Sequence, residues 1–564
     1  MCFKNHKYRS VCLSLVFFIA LTGLFFRLLL VQIIKHNEFK RLAAQQHDIV
    51  IEIPPARGRI YDRCNRPLAR NLPVSSLYAC PRRIFNRKNI VSRLSPIIDS
   101  KTEDLDRILK KDKGFVWVKR HLNNNQAAQI KELNLRELGL LKESRRVYPN
   151  GSLAGPLIGF TDIDNNGLEG LELYYNEYLK GSPGKRYSKR DAASRNIVSL
   201  DEKYIPAQDG QDLVLTIDQV VQHTTEKYLF DACQKYNASG GMAVVMAPAT
   251  GEILAMANYH SADPKDPSLW RNKVVTDFFE PGSVFKMITA AAALEEKTVS
   301  MDDRIYCENG VYHFGRRILH DHHPYKWLNF PEVIQKSSNI GTVKIAQSLG
   351  KEKFYEYIKK FGFGSLSGID LPGEVPGRLR PVEKWSKIAI TSLPMGQGIA
   401  VNALQLACAI NVIANKGLLV KPRIVKAIRH KSGHVIKEFD PVIIRRVVSA
   451  QTAVNIKDIL SGVVASGTGT RARIQGIKVA GKTGTAQKVD PNGQYSHSRF
   501  TASFMGFLPA DDPVITIVVI VDEPRPVYYG GTVSAPVFKN IARDLQGYFD
   551  LRFDENMTFI ARKE

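Results

Sequence analysis

The sequence predicts an α+β multidomain protein: a single N-terminal transmembrane helix, an elongated α+β pedestal, and a C-terminal domain in which an antiparallel sheet is flanked by helices. Three observations predict it. The chain has 564 residues, too many for one core and enough for roughly three to four domains. One apolar run near the N-terminus is long enough to cross a bilayer. In the second half, strand-like segments lie at both ends of a helical stretch, an order that folds as one sheet packed on helices.

The composition is that of a globular chain, with 44% hydrophobic and 24% charged residues. This excludes wholesale disorder, a collagen and a polytopic membrane protein. Lys and Arg number 79 against 55 Asp and Glu, and most of the excess falls in residues 1–200. A basic region of this kind suits nucleic acid or an anionic membrane surface. The apolar run decides between them. Val11–Phe26 carries no charge, and after Arg27 the run continues to Ile34, about 36 Å of helix against a ~30 Å hydrocarbon core. Arg27 lies close enough to the outer end to snorkel toward headgroups. Lys4, Lys7 and Arg9 precede the run and favour a cytoplasmic N-terminus, although Lys35, Lys40 and Arg41 follow it closely. No small-x-small cleavage site follows. An uncleaved anchor is therefore expected, with most of the chain on the far side of the membrane and no nucleic acid as partner.

The seven cysteines, at positions 2, 12, 64, 80, 233, 307 and 408, are scattered and contain no Cys-x-x-Cys pair. They read as isolated thiols, with Cys64–Cys80 the one conceivable bridge, and no metal site is expected. The predicted organisation is a cytoplasmic segment at 1–9, the anchor at 10–34, a pedestal at 35–210, a second large domain at 211–550 and a tail at 551–564. A short helical stalk is expected at Phe39–Gln46, ended by Pro54-Pro55. The second domain opens with a strand at Asp212–Asp218 and a helix at Val220–Tyr236. Gly241–Ala247 and Gly251–Asn258 then read as a hairpin around Pro248-Ala249-Thr250. Lys478–Lys488, Ala502–Leu508 and Val514–Val521 read as further strands, and a closing helix is expected at Ala535–Phe549, around Pro536. The middle, 283–470, reads as mostly helical.

Ser-x-x-Lys occurs three times. Ser182–Lys185 is a turn, and Ser348–Lys351 straddles a glycine that should end a helix. Only Ser283-Val-Phe-Lys286 follows a breaker pair, Pro281-Gly282, and opens a helical run. Spacing of i and i+3 puts both side chains on one face. The positive field of the helix N-terminus disfavours an ammonium and offers N–H groups to an oxyanion. A neutral lysine beside a serine hydroxyl is a general base beside a nucleophile. Lys482-Thr483-Gly484-Thr485 occurs once, inside a predicted strand, where glycine marks close approach by a ligand or another backbone. Its lysine and hydroxyls suit a substrate carboxylate. It is no Walker A loop, because the lysine precedes the glycine and no helix follows. Ser337-Ser338-Asn339 opens a predicted helix, where an N-cap is the bland reading.

In the order Ser-x-x-Lys, Ser-x-Asn, Lys-Thr-Gly, these motifs resemble the penicillin-binding protein and serine β-lactamase superfamily. Arg57-Gly58-Arg59-Ile60-Tyr61-Asp62-Arg63 resembles the opening motif of class B, monofunctional penicillin-binding proteins. Glu143–Pro149 and Gly159–Glu172 resemble the cell-division branch in particular, and Gly368–Glu374, Met395–Leu406 and Tyr528–Phe538 fit the resemblance too. The resemblance implies a transpeptidase-like C-terminal domain and a pedestal with a dimerisation module. It implies Ser283 as acylated nucleophile, Lys286 as its base, Ser337 as proton relay and Lys482 as electrostatic support. Asn339 would bind the substrate backbone, and Thr483, Gly484 and Thr485 the substrate or penicillin carboxylate, with N–H groups of Ser283 and Thr485 as oxyanion hole. No cofactor is implied.

The function implied is a peptidoglycan D,D-transpeptidase that cross-links stem peptides of nascent, lipid II-derived glycan at the septum and is acylated by β-lactams. A membrane-embedded SEDS-family glycan polymerase and other divisome proteins are the implied partners. Alternatives are an elongation-specific class B transpeptidase, a D,D-carboxypeptidase, a β-lactam sensor and a non-catalytic scaffold. The Glu-x-x-Leu-Asn element of class A lactamases is absent, and Glu374 lies in a Pro-Gly turn of another pattern.

Overall fold

The computed structural model describes residues 3–190, 196–197, 204–261, 271–315 and 317–549; the expected tail at 551–564 lies outside them. The chain divides into two units, 1–56 with 181–209 and 57–180 with 210–564. In the first, the apolar run forms the helix Phe3–Leu29, continued by a π-helical turn at Leu30–Ile34. Lys7–Ile34 is long and apolar enough to cross a membrane. The helix His36–His47 stands where the stalk is expected. The strand Asp48–Ile53 pairs antiparallel with Gly184–Arg190, which also pairs with Asn196–Ile197 and Tyr204–Ile205.

The second unit holds two large sheets. One runs in the order Val435–Glu438, Val425–Arg429, Asp212–Leu215, Ile60–Tyr61, Pro67–Ala79 and Val116–Leu122, with Leu138–Val147 also on Pro67–Ala79. The segment Asp212–Leu215, expected as the opening strand of the second domain, pairs in this sheet. Its partner is set from a distance: Asp212 Oδ1 accepts the Arg59 N–H at 2.6 Å, and Ile60 pairs in parallel with Leu213. The turn at Cys64-Asn65 places Asn65 at φ 62°, where asparagine is among the tolerated residues.

Beside this sheet, three family-like segments meet in a buried ion triad. Glu172 takes the Arg57 Nε at 2.7 Å on one oxygen and the Arg146 Nε at 2.6 Å on the other. Arg57 also donates to the carbonyls of Asn165 and Glu172 and to Asn176, and Arg146 to Gly58 O and Asn71. The side chains of Arg57, Arg146 and Glu172 are 1%, 2% and 0% exposed, so each charge relies on the others rather than on water.

The C-terminal half contains α1 (Gln219–Lys235), β1 (Gly240–Met246), β2 (Ile253–His260), α2 (Lys286–Glu295), α3 (Asn339–Leu349), α4 (Ala403–Ala414), α5 (Ala450–Ala465), β3 (Ala480–Val489), β4 (Tyr495–Leu508), β5 (Ile515–Asp522) and α6 (Gly530–Leu545). The strands form one antiparallel sheet in the order β2-β1-β5-β4-β3, so strands from both ends of the domain do flank a helical middle. Side chains alternate across it. Val244, Met505 and Val518 enter the core shared with the middle helices, whereas Val245, Phe504 and Val519 enter the core under α1 and α6. The middle also carries short strand pairs, among them Val311–Phe314 with Arg317–His320. The closing helix starts earlier than expected and contains Pro536. The carbonyl that a proline leaves without a donor is four residues back, and Tyr236 Oη donates to that Thr532 carbonyl at 3.3 Å. The six described cysteines are free thiols.

Replacing Glu172 by Ala strands two buried guanidinium groups, and removing one partner of such a pair costs about 3–5 kcal/mol. Calorimetry of the detergent-solubilised chain should show the transition of this unit at a clearly lower temperature or lost. An unchanged transition would show that the triad carries no stability.

Candidate active site

The turn that carries Ser283 is short and tightly held. Gly282–Phe285 forms a single 3-10 turn that runs directly into α2. Gly282 adopts φ 62°, and a Cβ there would lie 2.9 Å from Thr485 O. Gly484 is as constrained: a Cβ would meet Ser503 Oγ at 2.3 Å and Val284 Cγ1 at 2.9 Å. The glycine expected to mark a close approach therefore lets β3 press against the serine turn. Ser283 is half-buried at this contact, and Lys286, one helical turn on, is fully buried.

The Ser-Ser-Asn segment resolves the two readings of its motif by dividing them. Ser338 is the N-cap of α3, its Oγ accepting the Gly341 N–H at 2.9 Å. Ser337, just outside the helix, sits at φ 57°, a costly conformation for serine that persists only where its surroundings enforce it. Its hydroxyl lies between two lysines. Lys286 Nζ is 3.2 Å from Ser337 Oγ and Lys482 Nζ is 3.0 Å from it. Lys286 also donates to Ser337 O at 2.6 Å and to Asn339 Oδ1 at 2.8 Å, and Lys482 to Thr483 O at 3.2 Å. Asn339 donates from Nδ2 to His320 O at 2.8 Å, which leaves the second N–H of its amide for a ligand. Thr485 Oγ1 accepts the Gly530 N–H at 3.1 Å.

The electrostatics follow from burial. Both lysines are 0% exposed. Burial brings the Lys286 amine down to about 7, against the opposing pull of Asp321. Burial, then the charge of Lys286, holds Lys482 well below the usual lysine range. Two ammonium groups cannot both stand against one hydroxyl in this environment, so the pair holds at least one neutral amine near pH 7.

All the expected site residues thus gather in one place: Ser283, Lys286, Ser337, Asn339, Lys482, Thr483, Gly484 and Thr485. Ser348–Lys351 does not form a second such pair; α3 ends at Leu349 and Gly350 takes φ 81° between Ser348 and Lys351. Two residues that sequence reasoning missed belong here. Asp321 accepts from Ser338 Oγ at 2.5 Å, from the Asn339 N–H, and from the Ile340 N–H at 3.1 Å. It fixes the first turn of α3, and with it Ser337. Thr468 Oγ1 lies 2.7 Å from Thr483 Oγ1 and extends the hydroxyl row.

A family profile described as the penicillin binding protein transpeptidase domain matches residues 241–543, and one described as the penicillin-binding protein dimerisation domain matches 52–215. The chain belongs to the class B penicillin-binding proteins. Stage V sporulation protein D of Bacillus subtilis is 37% identical over 531 residues, covering 92% of this chain and 82% of that protein. The peptidoglycan D,D-transpeptidase FtsI of Escherichia coli K12 is 33% identical over 524 residues, 90% and 85% of the two chains. The crystal structure of penicillin-binding protein 3 of Mycobacterium tuberculosis complexed with aztreonam superposes with a TM-score of 0.70 at 30% identity, covering 91% of this chain and all of that one.

In a class B penicillin-binding protein with this site, acylation by a penicillin should rise with pH through about 7, because the ammonium form of Lys286 cannot accept a proton and is lost as pH increases. Asp321→Asn keeps an acceptor for the cap but removes a negative charge that favours that ammonium. The midpoint should move to lower pH. Stopped-flow acylation rates across pH 5–9 measure it, and a midpoint that stays or rises would contradict the assignment.

Proposed function

We propose that the chain is a peptidoglycan D,D-transpeptidase working through an acyl-enzyme on Ser283. The observation that carries this is the Ser337 hydroxyl held within 3.2 Å of two buried amines, Lys286 and Lys482, beside the Ser283 turn. In the proposed reaction, neutral Lys286 takes the Ser283 proton as Oγ attacks the carbonyl of the D-Ala-D-Ala peptide bond. N–H groups of Ser283 and Thr485 stabilise the tetrahedral oxyanion. The proton passes through Ser337 to the leaving nitrogen, with Lys482 supporting the hydroxyl, and D-alanine departs. An amine of a neighbouring stem peptide then attacks the ester, returns a proton along the same route, and leaves a cross-link. The remaining Asn339 N–H suits a substrate carbonyl, and Thr483 and Thr485 suit the terminal carboxylate. A β-lactam would enter as a donor whose leaving group cannot depart. No cofactor takes part.

The proposal assigns 211–550 to catalysis and 35–210 to a pedestal that contacts a SEDS-family polymerase and other divisome proteins, with the N-terminus in the cytoplasm. A septal role is supported by the similarity to FtsI. The similarity to a stage V sporulation protein supports the family without favouring the septum, and the elongation reading remains the competitor. Depletion separates them, since filaments mean division and rounded cells elongation.

The enzymatic reading is tested with a stem-peptide donor, with and without an amine acceptor. Cross-linked product should dominate when the acceptor is present; hydrolysis alone would make the protein a carboxypeptidase. Ser283→Ala should abolish penicillin labelling. Lys286→Arg keeps a cation that cannot deprotonate, and acylation should fall by at least ~10²-fold, the lower range for a lost general base. A loss under tenfold would mean that the base lies elsewhere.

A further inference from the structure

A cavity of about 730 Å³ opens directly beside the Ser283 turn. One wall is Ala486–Val489, the continuation of the Lys-Thr-Gly strand. Another is Phe278–Glu280, which leads into Pro281-Gly282-Ser283, and the rest comes from the 378–400 segment. The strand β3 is an edge of its sheet, so an extended peptide can add along it with main-chain hydrogen bonds.

The charge of this cavity is one-sided. Arg378, Arg380, Lys384 and Lys488 line it, against the single carboxyl of Glu280. Lys488 is engaged, 2.8 Å from both Asp522 and Glu523. Glu280 is turned inward, accepting from the Gly398 N–H at 2.8 Å and from Tyr495 Oη at 3.3 Å, which commits its carboxylate to partners within the fold. Arg378, Arg380 and Lys384 have no carboxylate partner among the described residues. The two arginines are also pre-positioned. The Arg378 guanidinium lies 4.8 Å over the Phe278 ring, a stacking that leaves its N–H edge available for a carboxylate. The Arg380 carbonyl accepts the Trp385 indole N–H at 2.8 Å, which pins the turn.

We propose that this cavity selects donor peptides bearing a carboxylate two to three residues ahead of the scissile bond, and that Arg378 and Arg380 read it. The inference rests on the acyl-transfer reading above and names a property of its substrate. The placement follows from strand geometry: from Thr485 to Gln487 or Lys488 is two to three residues, or about 7–10 Å along an added strand.

The test uses the full chain in detergent and two synthetic donors ending in D-Ala-D-Ala, identical except that one acidic side chain at that position is free or amidated. Each is measured as a competitor of labelled-penicillin acylation, and separately as a substrate. The wild type should prefer the acidic donor by about tenfold at low salt, since two exposed charge pairs contribute up to about a factor of five each, and the preference should shrink at high salt. Arg378→Ala/Arg380→Ala should bring the ratio near unity, and Arg378→Glu/Arg380→Glu should invert it. Because the readout is a ratio within one protein, partial misfolding does not mimic it. A preference unchanged in the variants, or no preference in the wild type, overturns the proposal. Preference in competition without any turnover would instead fault the transfer reading and leave the subsite standing.

Discussion

Ser337 Oγ is held between Lys286 Nζ and Lys482 Nζ, and most of the catalytic half serves to keep it there. The three groups come from positions far apart in the chain, on a helix, a strained turn and an edge strand. In water two ammonium groups at this range would repel weakly. In a site where both side chains are 0% exposed the repulsion is severe and desolvation adds to it, so protons are shed. A neutral amine next to a serine is what the proposed chemistry needs, and burial supplies it without any acidic neighbour in direct contact with either amine among the described residues.

That arrangement is expensive in conformation, and the surrounding contacts hold it. Ser337 stays at φ 57° because Ser338 and Asp321 anchor the helix that follows it. Lys482 stays level with it because Gly484 permits Val284 and the Ser503 hydroxyl to crowd the strand. On the other side of β3, Gly530 begins α6 so closely that a Cβ would lie 2.1 Å from Gly484 O. The sheet keeps these elements in register by filling a core on each face.

The sequence made the serine turn and the Lys-Thr-Gly strand legible because local chemistry marks them: a Pro-Gly breaker ahead of Ser283, and a glycine within an apolar strand. The Ser-Ser-Asn motif was only half legible. Its N-cap could be read from the pattern, but the division of labour between Ser338 as cap and Ser337 as bridge depends on a left-handed backbone that no periodicity encodes. Asp321 was invisible for a different reason. It acts across 17 to 19 positions, and an aspartate among histidines carries no signal of what its carboxylate will cap. The partner of the Asp212–Leu215 strand and the start of the closing helix ahead of Pro536 were hidden on the same ground, since a distant strand pairs with the one and the Tyr236 hydroxyl takes the carbonyl freed in the other.

Lysine side-chain NMR of Nζ-labelled protein, with Lys286→Arg and Lys482→Arg used to assign the two signals, tests the sharing of charge around Ser337 most directly. A pH titration should find Lys286 changing state near 7 and Lys482 well below the usual lysine range, so that the two do not both stay ammonium as the pH rises. Two ammonium signals persisting together above pH 9 would contradict the account, whatever the acylation rates turn out to be.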